Sequence, residues 1–197
     1  MRKSKTETEE TIQKLITIAR RHFGEKGYAD VALEEIVTEA NLTRGALYHH
    51  FKNKKGLFLA VFEAVQKEVG DRVEQEAANS QDMWQQLVNG CRAFLTAAVE
   101  SQNHRILLID GPAVLGWDTF RMMDQKYSMN SLREQLQLMQ EHGQLLPVSI
   151  DALTHCLSGA MNEAALWLAE YPQKPVTEIM TTLEILLEGF RQHPTNM

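Results

Sequence analysis

The stretch Leu42–Phe58, LTRGALYHHFKNKKGLF, carries Arg44, Lys52, Lys54 and Lys55 and not one Asp or Glu. The chain around it is acidic, with a formal net charge of −6 over 197 residues. Leu47 and Phe51 stand one helical turn apart, so a helix here turns both toward a core. Thr43 suits the N-cap of that helix, and Lys52-Asn53 suits its end. The opposite face then shows Thr43, Arg44, Gly45, Tyr48 and His49. A helix that enters the major groove presents its first residues to base edges and must lack acids there. Arg44 can reach guanine O6 and N7, Gly45 and Ala46 keep the helix slim, and Tyr48 and His49 can donate to phosphate oxygens. Lys52, Lys54 and Lys55 add charge beside the backbone.

Working outward, the segment before this stretch reads as a short helix with Leu33, Ile36, Val37 and Ala40 as its apolar stripe. Asp30 is its expected N-cap. Asn41 then supplies the left-handed residue that a tight turn needs. Two short helices across so short a turn make a helix-turn-helix. An earlier helix carries Ile12, Leu15, Ile16, Ala19 and Phe23, with Thr6 and Glu9 as a capping box and Gly27 as its stop. A longer helix leaves the stretch with Leu57, Phe58, Val61, Phe62 and Val65 on one face.

The remainder is also helical by periodicity. Trp84 to Ala98 forms an amphipathic stripe, broken at Ser101-Gln102-Asn103. His104–Asp110 is a short apolar piece that Gly111-Pro112 should end. Trp117 to about Glu141 follows, closed by His142-Gly143. Ser149 caps a helix to about Glu170, and a last helix spans Val176–Gln192. The reading is all-α. Its parts are an N-terminal domain over 9–69, with the helix-turn-helix at about 32–51, and a larger helical domain over 70–197.

Composition bounds the function. An apolar fraction of 44% and a charged fraction of 23% are ordinary for a globular chain. The first 66 residues hold eleven Lys/Arg against nine Asp/Glu, and the rest hold nine against seventeen. A mildly basic end on an acidic body points to a polyanionic partner. The start, MRKSKTETEE, has no apolar region of a signal peptide, and no stretch reaches the roughly 18 apolar residues of a membrane span. A cytoplasmic protein is expected, with no membrane partner. Cys91 and Cys156 are too far apart for a metal spacing and read as buried thiols. There is no phosphate-cradling glycine loop, no H-E-x-x-H and no C-x-x-C, so neither an enzyme nor a cofactor is expected. The adjacent His49 and His50 point in different directions on a helix and make no zinc pair. His50 is read as a packing residue, His49 as the DNA contact.

The N-terminal third closely resembles the DNA-binding domain of the tetracycline-repressor (TetR) family of bacterial regulators. The resemblance rests on Ile12–Phe23 with Gly27-Tyr28, on Ile36-Val37 and Ala40, and on Thr43, Gly45, Leu47-Tyr48, His50-Phe51, Lys54 and Leu57. It covers residues 9–69. It implies that Thr43, Arg44 and Gly45 open a recognition helix and that Tyr48, His49 and Lys54 touch DNA. The chain departs from the family pattern at three places. Val31-Ala32 stands where many relatives have Thr-Ser, so a cap and a phosphate contact are expected to be missing. Asn41 stands where relatives often have Gly in the turn, whose geometry it still accepts, and Lys55 replaces a frequent acid.

The resemblance also implies a homodimer, paired through the helices over about 149–170 and 176–192. Gly159, Ala160, Ala164, Leu183 and Leu187 suit such packing. The implied partners are a palindromic double-stranded DNA operator and a small-molecule effector that releases it. For the effector pocket the aromatic and sulfur residues Trp84, Phe94, His104, Trp117, Phe120, Met122, Met123, Met161 and Trp167 are candidates, with Asp110, Asn162 and Glu163 as polar partners. Repression is the first reading and activation is compatible with the same chain. A ligand-independent structural or cell-division protein of this fold is the alternative.

Overall fold

The computed structural model describes residues 5–193. They form nine α-helices and two π-helical segments without a strand; extended pairing is limited to an isolated antiparallel bridge between Leu145 and Arg191. Packing divides the chain into two units. One runs up to Gln66 and takes in Ser101–Arg121; the other comprises Lys67–Glu100 and the residues from Met122 on.

The first unit begins with α1 (Lys5–Asp30), which is kinked at Gly27, where φ is 82°. Thr6 lies inside this helix rather than at its cap. Next come α2 (Leu33–Glu39) and α3 (Arg44–Phe51). The expected cap at Asp30 is not made. The N-cap of α2 is Ala32, whose side chain accepts nothing, as the departure at Val31-Ala32 implies. The turn between α2 and α3 is built on Asn41, with φ 54°. Asn41 N–H donates to Thr38 O and Leu42 N–H to Val37 O, the paired bonds of a Schellman motif that satisfy the last carbonyls of α2. Thr43 Oγ1 then accepts from Ala46 N–H at 3.2 Å and opens α3 as expected.

The exit helix α4 (Lys54–Ala77) follows a tighter device. Lys52 has φ 66° and ψ −45°, and Asn53 N–H donates to Phe51 O at 2.8 Å. This is a γ-turn in its strained, positive-φ form. Asn53 Oδ1 accepts from Gly56 N–H and caps α4. The core of the unit is Leu15, Ala19 and Phe23 of α1 against Ile36, Leu47, Phe51, Leu57, Phe58 and Phe62, all buried. Phe23 and Phe58 meet edge to face at 5.2 Å.

A π-helical segment, Arg105–Leu115, packs on α1 within this unit. The expected stop at Gly111-Pro112 does not occur, and the segment runs through it to Gly116, whose φ of 89° ends it. Gly111 serves close packing instead: a Cβ there would lie 2.5 Å from the Phe62 ring.

The second unit holds the later half of α4, α5 (Met83–Ala98), α7 (Asn130–Glu141), α8 (Ile150–Glu170) and α9 (Val176–Glu188). Between them, α6 (Trp117–Asp124) and a second π-helical segment, Gln125–Met129, lead into α7. Asp82 caps α5 and Ser149 caps α8. Gly143, with φ 68°, closes α7 by a second Schellman pair, through Gly143 N–H to Gln140 O and Gln144 N–H to Met139 O. The last helix stops at Glu188, short of the expected Gln192, because the chain there turns to bridge Leu145. Cys91 is buried as expected, but Cys156 is exposed on α8. Among the described residues no helix is long and apolar enough to cross a membrane.

Candidate functional site

The first candidate site is the outer face of α3. Leu47 and Phe51 are buried, which fixes the rotation of the helix. Thr43, Arg44, Gly45, Tyr48 and His49 are exposed together, as are Lys52 and Lys55; Lys54 is half-buried. His50 is half-buried too, its ring edge-on to Phe51. Nothing in the fold requires glycine at 45: an added Cβ would meet only Thr43 Oγ1, at 3.8 Å. Gly45 stands in the first turn of α3 and leaves the outer surface of the helix smooth there.

Two features of this face lie outside what one helix's spacing shows. Arg44 Nη1 pairs with Glu34 Oε1 of α2 at 2.5 Å, and Nη2 donates to Tyr48 Oη at 3.4 Å. The bond to Tyr48 and the charge of Glu34 push the Arg44 pKa up. Lys54 donates to Ala29 O at 3.1 Å and sits 4.7 Å above the Tyr28 ring. Burial there pulls its pKa down, against the pull of Asp30 and Asp110. Tyr28 is anchored in turn, its backbone N–H donating to Asp110 Oδ2 at 2.8 Å. Gly27 allows this: a side chain at that point would meet the Arg105 guanidinium at 2.6 Å. Of the polar pocket candidates, Asp110 therefore belongs to the support of the basic face.

The second candidate site is a cavity of about 250 Å³ inside the second unit. The late part of α4 supplies Val73, Glu74 and Ala77, and α5 supplies Leu87, Cys91 and Phe94; Asp124, Ser128, Met129, Leu132 and Gln135 come from the π-segment and its neighbours, with Ser158 and Met161 from α8. Burial pushes the Cys91 thiol up to about 12, so it stays protonated. Ser128 Oγ is buried without a hydrogen-bond partner. A shallower groove of about 310 Å³ lies along α8 and α9, between Ala160, Ala164, Trp167, Ile179, Leu183 and Leu186.

Of the aromatic and sulfur candidates, Phe94 and Met161 line the cavity, and Met161 and Trp167 line the groove, as does Glu163. The others line neither. Trp84 lies under the Arg191 guanidinium. Phe120 is buried against Phe62, with Trp117 stacked on it and 63% exposed. Met123 is buried, Met122 is exposed, and His104 and Asn162 are half-buried. Serines 128 and 158 and Glu74 were not candidates from the sequence. Their only signal is helical phase against Phe94 and Met161, which needs the helix pairing to read.

Comparison with known proteins matches the chain in two stretches. The family model described as bacterial regulatory proteins, tetR family, matches residues 15–61, which contain α2 and α3. The model described as tetracyclin repressor-like, C-terminal domain, matches residues 84–190, more than half the chain. A solved TetR-family transcriptional regulator from Pectobacterium atrosepticum is 34% identical, with 98% of this chain and all of that one covered and a TM-score of 0.80. The Transposon Tn10 TetC protein of Escherichia coli is 28% identical over 76% of this chain and 75% of its own length. The HTH-type transcriptional regulator AcrR of Shigella flexneri is 33% identical over 54% of this chain and half of its own length. The exposed recognition helix and the helical second unit are thus those of a DNA-binding transcriptional regulator, not of an enzyme, and the chain belongs to the TetR family.

Proposed function

We propose that the protein is a repressor that binds a palindromic operator as a homodimer and is released by a small molecule in the cavity of its second unit. The observation that carries this reading is the cavity itself. A protein that only bound DNA would gain by filling about 250 Å³ of apolar space, since a void forfeits packing contacts. Val73 and Ala77 of the cavity wall and Lys54 of the basic face stand on one helix, α4. A ligand that shifts α4 therefore acts on the element that opens beside α3. The anchoring of Tyr28 by Asp110 gives the basic face a second support for such a shift to disturb. A differential affinity of about 1–3 kcal/mol between the two states changes operator occupancy roughly 5–150-fold.

The dimer is argued from α8 and α9. Ile185 and Leu186 are 70% and 55% exposed, and Ala160 and Cys156 are exposed on α8. Nothing within 4 Å would meet a Cβ at Gly159, which leaves the backbone open to a close partner. Apolar side chains in such number at the surface mark an interaction face. Two copies would set two α3 helices to read half-sites about 34–36 Å apart.

Selection of bound duplexes from a random library, followed by anisotropy titration, tests this. The expected result is a symmetric sequence bound by one dimer with a steep salt dependence. Recovery of asymmetric sequences, or binding by monomer with full affinity, would sink the reading.

A further inference from the structure

We propose that the cavity of the second unit takes a small apolar cation: a hydrocarbon or aromatic body that carries one protonated amine or quaternary ammonium group. This rests on the effector reading above and adds the sign of the ligand's charge. The wall is mostly apolar, through Val73, Leu87, Cys91, Phe94, Met129 and Leu132. Its charged members are Glu74 and Asp124, and none of the lining residues is Lys, Arg or His. Three arginines on the lining helices α4, α5 and α7 are committed away from it. Arg72 binds Glu100 at 2.6 Å, Arg92 reaches Glu184 at 3.3 Å, and Arg133 binds Asp151 at 2.6 Å.

The sign of the ligand's charge follows from desolvation. An anion moved into this space loses water, finds no cation among the lining residues and meets the Glu74 carboxylate. A cation loses water too, but Glu74 can pair with it. Glu74, itself exposed to solvent, accepts from the Ser131 hydroxyl at 3.1 Å, which orients the carboxylate and leaves it further acceptor capacity. Ser128 Oγ, buried and without a partner, can accept from an ammonium N–H. The protonated Cys91 thiol adds no negative charge of its own. Phe94 supplies an aromatic ring, which attracts a cation over its face.

Isothermal titration calorimetry on the full chain with octylammonium, octanol and octanoate separates body from charge. Octylammonium should bind about tenfold or more tightly than octanoate, with octanol between them. Glu74→Gln should remove most of the preference for octylammonium and leave octanol unchanged, and Ser128→Ala gives a second, neutral variant of the same wall. Tighter binding of octanoate or of octanol than of octylammonium overturns the charge assignment and leaves the effector reading standing. Failure of all three probes to bind a protein that still holds operator DNA overturns both.

Discussion

Gly45 separates what α3 does for the fold from what it does for DNA. Ala at 45 meets only Thr43 Oγ1 at 3.8 Å and removes glycine's backbone entropy. Gly45→Ala should therefore stabilise the protein by about 0.5–1 kcal/mol in urea denaturation while it weakens operator binding. A variant with unchanged operator affinity would show that position 45 does not approach the duplex. Arg44 carries the next prediction. A bidentate contact to guanine is worth about 1–3 kcal/mol of discrimination, so Arg44→Ala should flatten base preference at one position of each half-site. Glu34 complicates the same site. Its carboxylate holds Arg44 in the free protein and would repel phosphates once Arg44 turned to a base. Glu34→Gln should tighten binding to scrambled duplex more than to operator, a drop in specificity that paired anisotropy titrations can read. The basic face was legible along the sequence because its side chains follow one helix's period. Glu34 was not, because a carboxylate laid across from the preceding helix leaves no mark in the spacing of Leu42–Phe58.

Between elements, the chain relies on positive-φ residues, and their legibility differs for a physical reason. Asn41 and Thr43 could be read because each satisfies a local backbone group with a side chain or conformation typical of its residue type. Lys52 could not, since a lysine with φ 66° has no compositional signature. Its γ-turn folds Phe51 O onto the start of α4, where a Cβ at 56 would collide with that oxygen. Helix propensity favours alanine at 56 by about 1 kcal/mol, but a backbone clash of this depth costs more. Gly56→Ala should lower stability by about 2–3 kcal/mol, seen as a lower urea midpoint. The π-helical run through Gly111-Pro112 was illegible for a similar reason: the need for glycine there comes from Phe62, far along the chain.

The α1–α2 contact adds a pH dependence. A hydrogen bond from Arg21, then one from His22, holds the Glu39 carboxyl below its ordinary value, and Lys26 does the same for Glu35. A depressed folded pKa gives stability that is whole above the ordinary value near 4.5 and is lost as pH falls through the depressed one. Glu39→Gln should accordingly show a shallower acid loss of stability in a pH series of thermal melts.

At the scale of the whole molecule, periodicity could place most of the α-helices, though it ran α6, the second π-helical segment and α7 together, and it could not pair them. Phe94 and Met161 meet at the cavity because α5 packs on α8, whereas Trp84 and Trp117, equally plausible by residue type, are spent under Arg191 and on Phe120. The same limit applies to α8 and α9. Their small and apolar residues are legible, but which of them face outward depends on how each helix is rotated against α5. Leu183 and Leu187 are turned inward and buried, while Ile185 and Leu186 are exposed. This phase decides which substitution tests the proposed dimer. Leu187→Glu would bury a carboxylate in the protomer and cost folding itself, so its effect on DNA would say nothing about assembly. Leu186→Glu places the charge on the outer face, where a lone protomer solvates it at little cost. In a symmetric interface the substitution acts on both copies at once, so two carboxylates enter the same contact. Light scattering should then give a monomer with an unchanged circular dichroism melt. Operator affinity should fall by at least about tenfold, since each half-site must now be bound alone. A Leu186→Glu protein that remains dimeric would move the contact off this face and remove the argument that sets the two recognition helices at groove spacing.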